Sequence, residues 1–95
     1  MAKKKLKHYI IDCRNTKFHF FKAIHVPAYD DAEAEEIIKD FILCNPKYRY
    51  FEIISVKGTR KDWHKATGYR MDIETAYKRI KFYLKYGRYP NEERG

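Results

Sequence analysis

Glycine, proline and cysteine are all scarce in this 95-residue chain, at four, three and two residues, and each shortage excludes something. The glycines, Gly58, Gly68, Gly87 and Gly95, lie too far apart for a phosphate-cradling loop, so there is no P-loop and no GxGxxG, and nucleotide cofactors are disfavoured. The cysteines, Cys13 and Cys44, make no CxxC pair, and His8, His19, His25 and His64 are scattered without an HExxH, so no metal is expected. His19 and His25 share one strand face, yet six residues separate them by roughly 20 Å at the usual strand rise. No apolar run reaches membrane-spanning length or resembles the core of a secretory signal. The expectation is a cytoplasmic protein without cofactor, its thiols reduced and partly buried, and nothing supports a Cys13–Cys44 disulfide.

What the chain does have is aromatic residues and positive charge. Nine Tyr, six Phe and one Trp in a chain this short can bury enough area for one core, and the length allows a single domain over residues 1–95. The basic start, 1–5, and the tail, 91–95, are expected to be flexible. The net charge is +8, which points to polyanionic partners and says nothing of fold. Six carboxylates fall between Asp30 and Asp40, so the first helix is acidic and everything around it is more basic than the total implies. Part of that clustering is the preference of a helix N-terminus for acids, which fits Asp30, Asp31 and Glu33 better than Asp40.

Periodicity orders the elements. Leu6–Arg14 reads as a strand with Tyr9, Ile11 and Cys13 on one face, and Asn15-Thr16 as a hairpin turn. A second strand, Lys17–Val26, puts Phe18, Phe20, Ile24 and Val26 on one face; Phe21 and Lys22 disturb the alternation and suggest a bulge, and Pro27 ends the strand. Asp30 and Glu33 then form a capping box before a helix whose Ala34, Ile37, Ile38, Phe41 and Ile42 share a face, stopped at Asn45-Pro46. Cys44 at its end is expected to pack. Lys47–Lys57 is a third strand, with Phe51, Ile53 and Ser55 on one face, Tyr48, Tyr50, Ile54 and Val56 on the other, and Gly58 ending it. Residues Ala66–Met71 are read as a fourth strand after a Thr59–Asp62 turn, because a loop of that length is uncommon in so small a domain. A second helix runs from Asp72 to Tyr86 with Gly87 as its C-terminal cap. The expected fold is α+β in the order β-β-α-β-(β)-α, an antiparallel sheet packed against two helices.

Catalysis finds little support. A cysteine nucleophile would need an orienting histidine that no spacing supplies, and Asp62 with His64 is a weak acid–base pair for a metal-free nuclease. The chain is read as not an enzyme. Rings interleaved with cations suit nucleic acid, since cations meet phosphate and rings stack on bases. The leading contacts are Arg60, Lys61, Trp63, Lys65, Tyr69 and Arg70. A basic ridge of Lys78, Lys81 and Lys85 supports them, and Tyr48 and Tyr50 are expected as stacking rings on an open sheet face. No helix-turn-helix precedes that ridge, so groove readout is not expected, and RNA and DNA are not distinguished. The rival reading is a protein-interaction module, such as a small accessory or inhibitor protein docking on a nucleic-acid-handling partner. Homodimerisation through an unpaired strand edge is a further expectation.

Overall fold

The centre of the sheet is β1 (Lys7–Asn15), paired antiparallel with β2 (Phe20–Ala28) on one side and β3 (Phe51–Thr59) on the other, in the order β2-β1-β3. The computed structural model describes residues 5–90, so the frayed ends expected at 1–5 and 91–95 lie outside it apart from Lys5. Tyr9, Ile11 and Cys13 of β1 are buried on the face predicted for them, with Val26 and Ala28 of β2 beside them. Two helices cover this face. Helix α1 (Asp31–Cys44) contributes Ala34, Ile37 and Ile38, and α3 (Ile73–Tyr86) packs Tyr77, Ile80 and Leu84 against the same core.

The helix ends are built as their sequence requires. Asp30 Oδ1 accepts the Glu33 amide at 2.8 Å, and Glu33 Oε1 reaches back to the Tyr29 amide at 2.8 Å, one residue before the cap. Each side chain thereby satisfies a donor at the helix start. The Tyr77 hydroxyl also donates to Glu33, tying α3 to the start of α1. Burial and this carboxylate both push the Tyr77 hydroxyl pKa well above its ordinary value. Asp72 caps α3 through the Thr75 amide, and Gly87 closes it at φ 75°. Cys13 is buried, and that burial raises its thiol pKa, with Asp12 adding to the effect; Cys44 is exposed rather than packed, because it falls past the last apolar turn of α1.

Three local expectations fail for identifiable reasons. The first hairpin loop is Thr16–His19, longer than a turn at Asn15-Thr16. The Asn15 side chain accepts the amides of Lys17 (2.9 Å) and Phe18 (2.7 Å), donors that a strand would otherwise have used. Second, the register of β1 with β2 is unbroken, and the bulge lies between β1 and β3. Asp12 pairs with Ser55 and Cys13 with Ile53, leaving Ile54 over. The parity of β3 therefore flips at Ile54, which is why Ile53 and Val56 both reach the core while Ile54 is exposed. Third, the strand continues through Pro27 to Ala28. β2 is an edge strand, where a residue without an N–H is tolerated if that position faces away from the neighbour.

Candidate nucleic-acid interface

The segment Arg60–Arg70 does not make a fourth strand. It holds a short helix, α2 (Trp63–Thr67), started by Asp62, whose carboxylate accepts the Lys65 amide at 2.9 Å, and ended by Gly68 at φ 74°. An aspartate before the turn and a left-handed glycine after it are helix signals, and they outweigh the β-like residues between. From β3 the chain passes under the second face of the sheet, beside His8. The Lys61 carbonyl accepts the His8 Nδ1–H at 3.2 Å, and the Trp63 ring meets the His8 ring edge-on at 5.0 Å. Trp63 is 7% exposed, so it has no open face for a base, and its indole N–H is buried without a hydrogen-bond partner among the described residues. Arg60, Lys61, Lys65 and Arg70 are exposed around it, and Tyr69, 53% exposed, is the accessible ring of the set.

Beneath α2 lies a histidine pair that no spacing rule picks out, because it forms across strands. His25 Nδ1 and His8 Nε2 are 2.7 Å apart. The Lys61 carbonyl can only accept, so neutral His8 carries its proton on Nδ1 and its Nε2 accepts from the His25 Nδ1–H. Burial, then His8 and Lys61, hold the His25 pKa below its ordinary value. Among the described residues, no cluster of three or more His, Cys, Asp or Glu could hold a metal ion. Asp62 and His64 do not face each other as a pair either. One carboxylate oxygen caps α2, and the His64 Nδ1–H is directed to the Tyr69 carbonyl at 3.1 Å.

The basic ridge of α3 is divided. Hydrogen bonds from Thr75 lower the Asp72 carboxyl pKa, with His64 and Lys78 adding to the pull. Lys81 turns toward Glu33 at 3.8 Å, and Lys85 lies over the Tyr86 ring at 5.3 Å. The Lys-rich start, apart from Lys5, is outside the described residues.

Tyr48 and Tyr50 are not on an open sheet face. Tyr48 lies in a 3-10 turn (Pro46–Tyr48) and packs on Phe41 and Phe51, each at 5.2 Å between ring centres. Tyr50 precedes β3 at the hairpin end of the sheet, between two cations: Lys17 Nζ at 4.9 Å and the Arg49 guanidinium at 4.9 Å from its ring centre. At this end of the sheet two phenyl rings are open, Phe18, which parity placed on the apolar face, and Phe21, which parity placed off it. Phe18 is 66% exposed on the hairpin loop and Phe21 is 72% exposed opposite Arg14. Lys17 also lies over Phe18 at 5.4 Å, and Lys22 over Tyr48 at 5.6 Å. Arg14 is held by Glu52 at 2.7 Å. Lys17, Phe18, Phe21, Lys22 and Arg49 were not among the candidates read from the sequence. The one available signal was Asn15, whose preference for capturing nearby amides lifts Phe18 off the strand.

No family model matches the chain, and neither a curated protein nor a solved structure is found to be similar to it. No helix among the described residues is long and apolar enough to cross a membrane.

Proposed function

We propose that the chain is a non-enzymatic nucleic-acid-binding protein that holds phosphates with its cations and stacks unpaired bases at the hairpin end of the sheet. The observation that carries this reading is the exposed Phe18 ring with Lys17 over it, beside a Tyr50 ring flanked by Lys17 and Arg49, while Lys22 lies over Tyr48 and the exposed Phe21 stands opposite Arg14. A ring with a free face accepts any base, and cations beside it meet the phosphates on either side. The exposed cations Arg60, Lys61, Lys65 and Arg70 extend the phosphate contacts at the other end. The two ends are roughly 27 Å apart along nine-residue strands, which suits a single strand laid along the domain. The working compartment is the cytoplasm, where the exposed Cys44 stays a thiol.

The test is fluorescence anisotropy with labelled oligothymidylate, oligouridylate and a duplex at about 50 and about 200 mM salt. Expected are saturable binding that falls steeply with salt, preference for single strands, and loss of most affinity in the Lys17→Glu, Lys22→Glu, Arg49→Glu triple variant. The Arg60→Glu, Lys61→Glu, Lys65→Glu variant should lose less. Absence of binding to all three probes at the lower salt by the folded protein overturns the reading.

A further inference from the structure

On the second face of the sheet, toward the hairpin, the two registers of β1 set side chains in cross-strand rows. Phe21, Arg14 and Glu52 form one row, and Ala23, Asp12 and Ser55 form the next. Phe21, Ala23, Arg14 and Glu52 are exposed, and Asp12 and Ser55 are half-buried. Trp63 packs on His8 at the far end of the same face. Arg14 is engaged by Glu52 at 2.7 Å, and the Ser55 hydroxyl donates to Asp12 Oδ2 at 3.1 Å. An ionised carboxylate has about four lone-pair sites, so Asp12 keeps acceptor capacity beyond that one bond. In an antiparallel pair Asp12 and Phe21 are diagonal neighbours, about 7 Å apart on one face. The half-width of a base centred on the Phe21 ring, plus a hydrogen bond of about 2.9 Å, covers that distance.

We infer that Asp12 accepts hydrogen bonds from the edge of a guanine stacked on Phe21, so that this face prefers guanine among unpaired bases. The inference rests on the nucleic-acid reading above and adds a base preference to it. Stacking on a phenyl ring tolerates every base, and cations meet every phosphate, so neither selects. A carboxylate does select. It repels phosphate and carbonyl oxygens and accepts only from donors. The Watson–Crick edge of guanine presents two adjacent donors, the ring N–H and the amino group, which the two carboxylate oxygens can accept together. Adenine and cytosine present an amino group beside a ring acceptor. Thymine and uracil present one N–H between two carbonyls. Each of these sets an acceptor against the carboxylate where guanine sets a donor.

The probes are labelled nonathymidylates whose central base is thymine, adenine, guanine or hypoxanthine, read by fluorescence anisotropy at about 50 mM salt. Hypoxanthine is guanine without its amino group. The unaltered protein is expected to bind the guanine oligomer about tenfold more tightly than the thymine one, the discrimination of one bidentate contact. Hypoxanthine and adenine should lose most of that advantage while stacking as well as guanine does. Asp12→Asn keeps an acceptor for Ser55 and removes the charge. It should abolish the guanine advantage while binding the thymine oligomer at least as tightly as the unaltered protein, a base-dependent change that a merely structural Asp12 would not produce. The same series on a uridylate backbone shows by its relative affinity whether the guanine comes from RNA or DNA. Equal binding of the guanine, adenine and hypoxanthine oligomers, or an unchanged guanine advantage in Asp12→Asn, overturns the inference and leaves nucleic-acid binding standing. Failure of the folded protein to bind any oligomer overturns both.

Discussion

The two ends of the sheet carry the same kinds of side chain and use them in opposite ways. At the β3 exit, Trp63 is packed under the sheet against His8, and the neighbouring cations are left pointing outward. At the hairpin, Phe18 and Phe21 are outside and the cations lie against rings. The difference follows from what each end must cover. His8 and His25 are polar rings on the second sheet face, and they need both a hydrogen-bond partner and a lid. The Lys61 carbonyl and the Trp63 ring supply these, which takes the indole away from solvent. At the hairpin end the first-face rings still pack, Phe20 edge-on to Phe51 and Tyr48 on Phe41 and Phe51, whereas Phe18 on the loop and Phe21 opposite Arg14 are left exposed. Proximity of rings and cations along a chain is thus a poor guide to an interface until the sheet has taken the rings it needs.

The sharpest way to break the comparison is Trp63→Ala. If the exit end is core, this truncation costs about 3–5 kcal/mol, the range for a buried large aromatic, measured as a lower urea midpoint. A cost below about 1 kcal/mol would place Trp63 with surface residues. The short helix that delivers it has a smaller sensitivity. Gly68→Ala forces a side chain to adopt φ 74° and should cost about 1–2 kcal/mol. At the hairpin end His19 already adopts φ 59° in a loop, and replacing it with glycine should be neutral or slightly stabilising.

Acid should also distinguish the ends. The folded protein holds His25 below its ordinary pKa of 6.5, so on acidification the unfolded chain takes up this proton first. The contribution to stability is complete above about pH 6.5 and is lost as pH falls through that value toward the folded pKa. His8 and Lys61 both oppose a positive charge on His25. Urea midpoints measured downward from about pH 8 should therefore fall below about pH 6.5, and His25→Asn should flatten that decline. An unchanged slope in the variant would assign acid sensitivity to the carboxylates instead.

Local signals made most of the fold legible. Asp30 with Glu33, Asp72 and Gly87 mark helix ends by chemistry that acts within four residues, and Tyr9, Ile11 and Cys13 alternate without interruption. What was hidden depends on groups meeting across strands. The bulge at Ile54 is a property of the β1–β3 pair, and the His8–His25 bond joins residues seventeen apart. The α2 helix was legible in Asp62 and Gly68, yet Ala66–Met71 reads as a strand because a loop of that length is uncommon in so small a domain. At the candidate interface the exposed cations were identifiable and the accessible rings were not, because access is decided by the layers above them.

The smallest expected effect on stability is also the most informative about function. Phe18→Ala and Phe21→Ala remove exposed rings, and each should shift folding free energy by no more than about 0.5 kcal/mol. Their effect on single-strand affinity should be larger, because stacking one base on a ring contributes about 1–3 kcal/mol. The salt dependence separates this from charge. Removing a phenyl ring releases no fewer counterions, so the slope of log K against log salt should stay as in the parent while the whole line drops. Lys17→Glu should instead flatten the slope. If Phe18→Ala and Lys17→Glu both flatten it equally, the ring acts only by positioning Lys17, and the hairpin end is a charged patch like the exit end, with no stacking platform.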